Sequence, residues 1–466
     1  MNIKRLVSKL PAPIRQSVKY LYGNVPPRIR YGRVFWETYN FLQQSQWWSQ
    51  EEWEEYQRQQ LTQLIRHSYE NVPYYRQIFE ERGLRPKDIQ SLDDLKKLPF
   101  LTKEIIRKNS DQLIARNISR SEMEVVRTSG STGAPLSIYY EKGKTDLVEN
   151  AFVHALWCRV GYRSRWKRVN LTWELVSKGD SWWEYNPAQK ILTLSPYHMN
   201  EENLGNYVEK MRRFKPEAIK SIPSAIIVLA DFMRRHQVSP FPSVKLILLG
   251  SEMLFPWQRR RIREVFHSRI FSWYGQAEQV ILAGECEQNN EYHIVPEYGI
   301  TELIGADGEQ IKQEGVRGVL VGTGFNNYAM PFIRYKTDDL AFWSNKKCSC
   351  ERNCPLLEKI EGRDQEFIVL RDGHLVPLLA LPFSSVLSKA IQFQFYQDKP
   401  GEVILKIVKM QGLEQNNSKS VQKKLSEGLG HLKIKFEFVD SIPRTDRGKF
   451  KYMIQKIPIK FETFSD

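Results

Sequence analysis

Three groups of residues in this sequence have types and spacings that could do chemistry. The first is Thr128-Ser129-Gly130-Ser131-Thr132-Gly133-Ala134-Pro135, flanked by EVVR and LSIYY. Its two glycines let the backbone bend so that successive N–H groups converge, and its hydroxyls add donors beside them. A loop of this kind cradles phosphate oxygens. No lysine follows the second glycine, so it is not the usual Walker motif. The second group is Cys286 and His293, seven apart, then Cys348-Ser349-Cys350, then Cys354 four further on. Zinc takes four tetrahedral thiolate and imidazole ligands in closed structural sites. Two short ligand pairs, 55 residues apart from His293 to Cys348, would clamp the strands between them to the body. A set of unconnected thiols is the alternative, and Cys158 shows that isolated cysteines occur here. A nucleophilic role is disfavoured, since no second histidine lies near them and a closed site excludes substrate. The third group is the N-terminus: residues 1–36 carry eight Lys/Arg and no acid, a charge of +8. Apolar Ile3, Leu6, Val7, Leu10, Ile14, Val18 and Leu21 interleave them. Such a segment either lies on anionic lipid or forms a solvated helix along the body.

These residues need elements to hold them. Leu61, Leu64, Ile65 and Tyr69, spaced by three and four, predict helix over 51–85, interrupted at Asn71-Val72-Pro73 because proline disfavours helix in the residue before it. From residue 125 onward strand-like runs alternate with helical ones. VKLILLG (244–250), the basic helix PWQRRRIREVF (256–266) and RIFSWYG (269–275) are one such unit, the pattern of an α/β domain. EFIVLRDG (366–373), EVILKIVKM (402–410), a helix around Ser418–Leu432 and IKFEFVD (434–440) predict a compact α+β unit of about 100 residues. The expected organisation is a basic helical segment at 1–60, a large domain at 61–362 and a small domain at 363–466, with the boundary near Gly362–Gln365.

Composition sets the outer limits. The chain has 466 residues, 41% hydrophobic and 26% charged, enough to bury a sizeable core, which excludes a mostly disordered chain. No run of about 18 apolar residues occurs, against a transmembrane helix. The first fifteen residues meet two prolines before any apolar stretch forms, against a secretory signal. Five cysteines fit a reducing compartment and not a disulfide scaffold. The net charge is +15, but no module interleaves basic residues with aromatic platforms, against nucleic acid as a partner.

The string 128–135 resembles the phosphate loop of the adenylate-forming superfamily, which includes acyl-coenzyme A synthetases, luciferases and nonribosomal adenylation domains. Further signatures follow in that family's order. Gly250-Ser251-Glu252 resembles the segment that lines adenine, and Trp273-Tyr274-Gly275-Gln276-Ala277-Glu278 the aromatic-Tyr-Gly-x-x-Glu motif. The likeness implies that Tyr274 stacks on adenine and that Glu278 holds Mg²⁺. Arg334-Tyr335-Lys336-Thr337-Asp338-Asp339 resembles the ribose motif, which implies that Asp339 binds the ribose hydroxyls. Gly362-Arg363 resembles the hinge, with Arg363 near the ribose, and Pro443-Arg444-Thr445-Asp446-Arg447-Gly448-Lys449 the loop that delivers the catalytic lysine, Lys449. Within the superfamily, residues 71–103 and 195–233 are similar to phenylacetate–coenzyme A ligases and CapK-like proteins of capsular polysaccharide biosynthesis. That likeness also implies a zinc site made of Cys286, His293, Cys348 and Cys350, leaving Cys354 spare.

The implied fold is α/β: a large adenylate-forming domain of sheets and helices and a small mobile α+β domain. The implied chemistry is activation of a carboxylic acid by ATP, with loop 128–135 and Thr132 on the phosphates and Lys449 between carboxylate and α-phosphate. A thiol or amine acceptor then takes the acyl group: coenzyme A in an aryl-acid ligase of the phenylacetate type, or an amino sugar or carrier in surface polysaccharide synthesis. The setting is cytoplasmic, with residues 1–36 offering contact to the inner face of the membrane. Four departures favour the rival reading of a non-catalytic membrane-associated scaffold: Leu136 where relatives carry lysine, Ala277 for threonine, Asp338 for glycine, and Gln365 at the hinge acid. Retention of Glu278, Asp339 and Lys449 argues for an enzyme.

Overall fold

The computed structural model describes residues 25, 27–128, 136–172, 182–199, 201–363, 367–371, 375–377, 392–408, 432–443 and 451–457. Residues 1–24, with most of the basic N-terminal charge, and the predicted helix around Ser418–Leu432, apart from Leu432 itself, lie outside that set. Among the described residues no helix is long and apolar enough to cross a membrane.

The N-terminal part is helical: α1 (Gly32–Ser45), α2 (Gln50–Asn71) and α3 (Pro73–Glu81). Ser49 and Glu52 form a reciprocal capping box that starts α2. Val72, extended at φ −113°, separates α2 from α3, where Pro73 forbids helix in the residue before it. A hairpin follows, β1 (Met123–Arg127) and β2 (Ser137–Glu141), and then α4 (Thr145–Arg159).

The centre is one twelve-stranded sheet. Its first half is mostly parallel: β3 (Arg168–Leu171), β4 (Trp183–Asn186), β5 (Ile191–Leu194), β6 (Ala218–Ser221), β7 (Leu246–Leu249) and β8 (Arg269–Gly275). Its second half is antiparallel: β9 (Leu282–Gly284), β10 (Tyr292–Ile294), β11 (Gly299–Ile304), β12 (Arg317–Gly324), β13 (Tyr335–Ser344) and β14 (Leu356–Arg363). The spatial order is β11-β12-β13-β14-β10-β9-β8-β7-β6-β3-β5-β4. Strand β7 reads Leu-Ile-Leu-Leu and is buried throughout, because helices cover both faces of the parallel half. Odd positions such as Ile219, Ile247 and Leu249 pack with α5 (Glu201–Phe214), α6 (Pro223–Arg235) and α7 (Pro256–Phe266). Even positions such as Ala218, Leu246 and Leu248 pack with α4 and with Leu42 of α1. The expected strand–helix–strand unit is therefore present, with α7 beginning and ending where the sequence reading put it.

Strand β14 ends at Arg363, and the strands that follow form separate sheets. β15 (Phe367–Val369) pairs with β16 (Leu375–Pro377). β17 (Gln392–Lys399), β18 (Glu402–Val408), β19 (Lys433–Val439) and β20 (Met453–Gln455) form a four-stranded sheet in the order β19-β18-β17-β20. Phe255, just ahead of α7, packs into the core of this small unit, its ring 5.2 Å from that of Tyr452. Gln258 of α7 donates to the Tyr452 hydroxyl at 2.8 Å.

One ion pair lies inside the antiparallel half. Arg334 donates to Glu302 at 2.9 and 3.2 Å and to the Leu98 carbonyl at 2.8 Å, both side chains being buried. Removing the cation alone strands a buried carboxylate, which costs about 3–5 kcal/mol, whereas an apolar pair of similar volume is close to neutral. Arg334→Met should therefore lower the urea unfolding free energy by about that amount, and adding Glu302→Leu should restore much of it. Equal loss in the single and double variants would contradict this account of the pair.

Candidate active site

The phosphate-loop candidate hangs from a closed neck. Strands β1 and β2 pair in register up to Arg127 and Ser137. Beyond them the Thr128 N–H donates to the Leu136 carbonyl at 3.0 Å, and the Leu136 N–H donates to Thr128 Oγ1 at 2.9 Å. The seven residues between start and end side by side. Ser129, Gly130, Ser131, Thr132 and Gly133 lie outside the described residues. Leu136, expected to cost the site a cation, is a core residue at 3% exposure.

The adenine, ribose and magnesium candidates converge at the end of β8. The Tyr274 hydroxyl donates to Asp339 Oδ2 at 2.6 Å, so residues 65 apart in sequence touch. The Tyr335 hydroxyl donates to Glu278 Oε1 at 2.6 Å, and Tyr140 donates to the carbonyl of Ala277. Asp339, Thr337 and Tyr335 occupy alternate, buried positions of β13. The Thr337 hydroxyl donates to the Leu320 carbonyl at 2.8 Å and accepts the Asp339 N–H at 3.1 Å, which fixes the backbone under the carboxylate. Arg363 is the register partner of Asp339 across β13 and β14, which sets the hinge candidate beside the ribose candidate.

Gly250 follows β7 where Trp273 of β8 crosses it. A Cβ there would lie 2.7 Å from the Trp273 ring, so only glycine admits the indole. Ser251 follows at φ +67°. The Glu252 carboxylate accepts the backbone N–H of Ser224 at 2.9 Å and its hydroxyl at 3.0 Å. Glu252 thus anchors the start of α6, a structural duty that the expected adenine-lining role did not include. Gly275 is hemmed by Leu282, 3.3 Å from where its Cβ would be. Lys449 lies outside the described residues.

Sequence reading passed over Tyr335, Tyr140 and Lys103. Alternation along β13 signals Tyr335, since it shares the face of Asp339. Asp338 adopts φ +65°, the backbone region that glycine enters most readily, and its charge is met by the Lys103 ammonium.

Beneath Glu278 lies a further buried acid. Glu149 of α4 accepts from the Tyr298 hydroxyl. Burial raises its carboxyl to about 7, against the smaller lowering effect of that hydrogen bond.

The cysteine cluster is assembled where β9, β10 and β14 lie side by side, from the residue pair after β9, from β10 itself and from the turn before β14. His293 sits on β10 between Gly284 of β9 and Leu356 of β14. Cys286, His293, Cys348 and Cys350 offer ligand atoms all within 4.8 Å of one another. The Cys286 and Cys348 sulfurs are 3.5 Å apart, and Cys350 Sγ is 3.6 Å from His293 Nε2. Tetrahedral zinc with bonds of about 2.0–2.3 Å places its ligand atoms roughly 3.5–3.8 Å apart, so the donor set fits. Backbone N–H groups of Gln288 and Asn289 point at the Cys286 sulfur, and the Asn289 amide points at Cys348 at 3.0 Å. Burial, then the fields of Arg159 and Arg352, hold His293 at about 4, so its imidazole is neutral, as a metal ligand must be. Cys354, which the likeness left spare, lies 3.1 Å from His293 Nδ1 and steadies the ring from behind.

Residues 373–456 match the CapK C-terminal domain family. The chain is 29% identical over 343 residues to a phenylacetate-coenzyme A ligase of Thermus thermophilus, covering 70% of this chain and 75% of that protein. It is 25% identical over 412 residues to protein CapK of Staphylococcus aureus, covering 86% and 89%. The fold superposes on a crystal structure of 2-hydroxyisobutyryl-CoA ligase in the postadenylation state with 2-HIB-AMP. That match has a TM-score of 0.72 and 20% identity, over 93% of this chain and 94% of that one. The resemblance drawn from the motifs thus holds along nearly the whole chain, and the fold is that of the adenylate-forming ligases.

The Glu149 carboxyl has a consequence for pH. Its value is about 7 in the folded chain against 4.5 as a free side chain, so between them the folded state holds more protons than the unfolded. Stability contributed by this group is then lost as pH rises from about 4.5 through 7, by on the order of 3 kcal/mol in all. Glu149→Gln should remove that dependence, read as the difference in urea midpoint between variant and wild type at pH 5 and pH 8. Parallel pH profiles would rule it out.

Proposed function

We propose that the protein activates a carboxylic acid with ATP and passes the acyl group to an acceptor thiol. The observation that carries this reading is the contact of Tyr274 with Asp339 beside that of Glu278 with Tyr335, which joins two motifs distant in sequence. A carboxylate oxygen attacks the α-phosphorus of ATP, a new O–P bond forms, the bridging P–O bond to the β-phosphate breaks, and pyrophosphate leaves. In the second step the acceptor sulfur attacks the acyl carbonyl, the C–O bond breaks, AMP departs, and the thiol proton passes to solvent.

The protein's part is positioning and charge. Tyr274 offers a ring for adenine, Asp339 accepts from ribose hydroxyls, and the neck at Thr128 and Leu136 presents the loop to the phosphates. Glu278 is the residue that would hold magnesium, which would supply charge neutralisation there. Lys449, by the family likeness, places a cation between carboxylate and α-phosphate. Coenzyme A as acceptor is supported by the ligase relatives; a role in surface polysaccharide synthesis rests on the likeness to CapK alone. A panel of carboxylic acids in ATP–pyrophosphate exchange, followed by coenzyme A or amino sugars, tests both halves.

Lys449→Ala should lower acid-dependent ATP–pyrophosphate exchange roughly 100- to 1,000-fold, the usual loss when one transition-state charge contact is removed. ATP binding should survive, because its contacts come from the large domain. Asp339→Ala should instead weaken ATP binding itself. Wild-type exchange by Lys449→Ala would overturn the mechanism, and exchange with no acid in a broad panel would favour a non-catalytic scaffold.

Zinc is the metal we assign to Cys286, His293, Cys348 and Cys350, with a structural role. Purified protein should carry about one zinc per chain, and chelation should raise proteolysis between residues 286 and 354 before it alters ATP binding. Elemental analysis without zinc, in preparations that retain bound metals, would refute the assignment.

A further inference from the structure

The rim of the parallel half-sheet opposite the nucleotide contacts is basic and aromatic. Strands β3, β5, β6, β7 and β8 run parallel, so the segments that enter them share one end of the sheet. The nucleotide candidates lie at the other end, Gly250 just after β7 and Tyr274 near the end of β8. The entering segments 161–167, 187–190, 215–217 and 236–245 carry Arg163, Arg165, Lys167, Lys190, Lys215 and Lys245, all exposed, and one acid, Glu217.

Contacts join these segments into one surface. Glu217 accepts the Lys167 backbone N–H at 3.3 Å, and its own N–H donates to the Lys167 carbonyl at 2.7 Å. The Lys245 ammonium lies 3.4 Å from the Glu217 carboxylate, so the acid of this rim answers one cation of the six. The Arg168 N–H, next to Lys167, donates to the Lys190 carbonyl at 3.0 Å. Aromatic rings stand between the charges. The Lys245 ammonium is 5.1 Å from the centre of the Trp166 ring, and that of Lys167 is 5.7 Å from Phe214. Phe214 meets Tyr185 edge-on at 5.7 Å, and Tyr185, on the edge strand β4, is 38% exposed. The basic N-terminal segment reaches the same rim: Arg30 donates to the Ala188 carbonyl, and Ile29 beside it is 71% exposed.

A merely solvated basic face gains nothing from rings among its cations or from an exposed isoleucine. The headgroup layer of a membrane uses both, since apolar bodies enter the acyl boundary while cations meet anionic lipid. A nucleic acid would answer the same charges, but Ile29 and the apolar residues interleaved through 1–21 gain only from lipid. We infer that this rim, with the N-terminal segment that joins it at Ala188, is the surface by which the protein lies on an anionic lipid leaflet. In that pose the nucleotide end of the sheet points away from the lipid. The inference stands apart from the adenylation reading.

The test floats full-length protein with vesicles of phosphatidylcholine alone or with about one-third phosphatidylserine, at low and high salt. Wild type should float with the anionic vesicles at low salt and stay behind in the other conditions. Arg163→Gln, Arg165→Gln and Lys167→Gln together should lower the partition roughly 100-fold, about fivefold per cation withdrawn from the leaflet. Lys190→Gln with Lys215→Gln, on two other segments, should lower it roughly 25-fold, so a triple variant that misfolds leaves the test standing. Wild type that does not float with anionic vesicles overturns the inference, as does equal flotation on phosphatidylcholine alone. Wild-type flotation by the folded variants also overturns it, since binding would then belong to residues outside the rim. Vesicles displaced by duplex DNA or RNA, with an affinity that falls in the same variants, would give the surface to nucleic acid instead.

Discussion

The site depends on two hydrogen bonds from phenols to carboxylates, Tyr274 to Asp339 and Tyr335 to Glu278, each 2.6 Å long. A buried carboxylate is costly unless donors meet it. Here each of the two acids expected to act on ATP is met by a phenol, and the two phenols sit on different strands. Strand β13 supplies one acid and one phenol from alternate positions, Asp339 and Tyr335, while the segment from Tyr274 to Glu278 supplies the others. A one-residue slip of β13 would turn both of its side chains to the opposite face and undo both bonds. Thr337, between them, ties the strand to Leu320 and holds that register.

The four-stranded sheet β19-β18-β17-β20 is tied to the chain just after this region. Phe255 and Gln258 reach the C-terminal core through Tyr452, only a few residues after the Gly250-Ser251-Glu252 segment. Glu252 anchors the start of α6, so this stretch is braced at one end by α6 and packed at the other against the C-terminal sheet. A change at that packing contact therefore acts on a segment that already borders Trp273.

The departures from the family pattern, which argued for a scaffold, have local explanations. Leu136 is buried in the core and closes the neck of the loop through its backbone. Ala277 offers its carbonyl, not its side chain, to Tyr140. Asp338 sits in a left-handed backbone with Lys103 at its carboxylate, so the added negative charge is locally offset. Gln365 lies outside the described residues.

The sequence alone determined the motifs, their order, and the elements that carry them. The basic helix at 256–266, the strand at 269–275 and the break at Pro73 follow from local rules, since periodicity and proline act within a few residues. The likeness to adenylate-forming ligases was legible for the same reason: each motif is a contiguous string. Only the tertiary structure decided which distant residues meet. Tyr274 touches Asp339 and Cys354 stands behind His293, because strand order and register bring them together. No spacing along the chain encodes those contacts. A strand's neighbour is chosen by which faces must be buried, and that choice is made by the whole sheet at once.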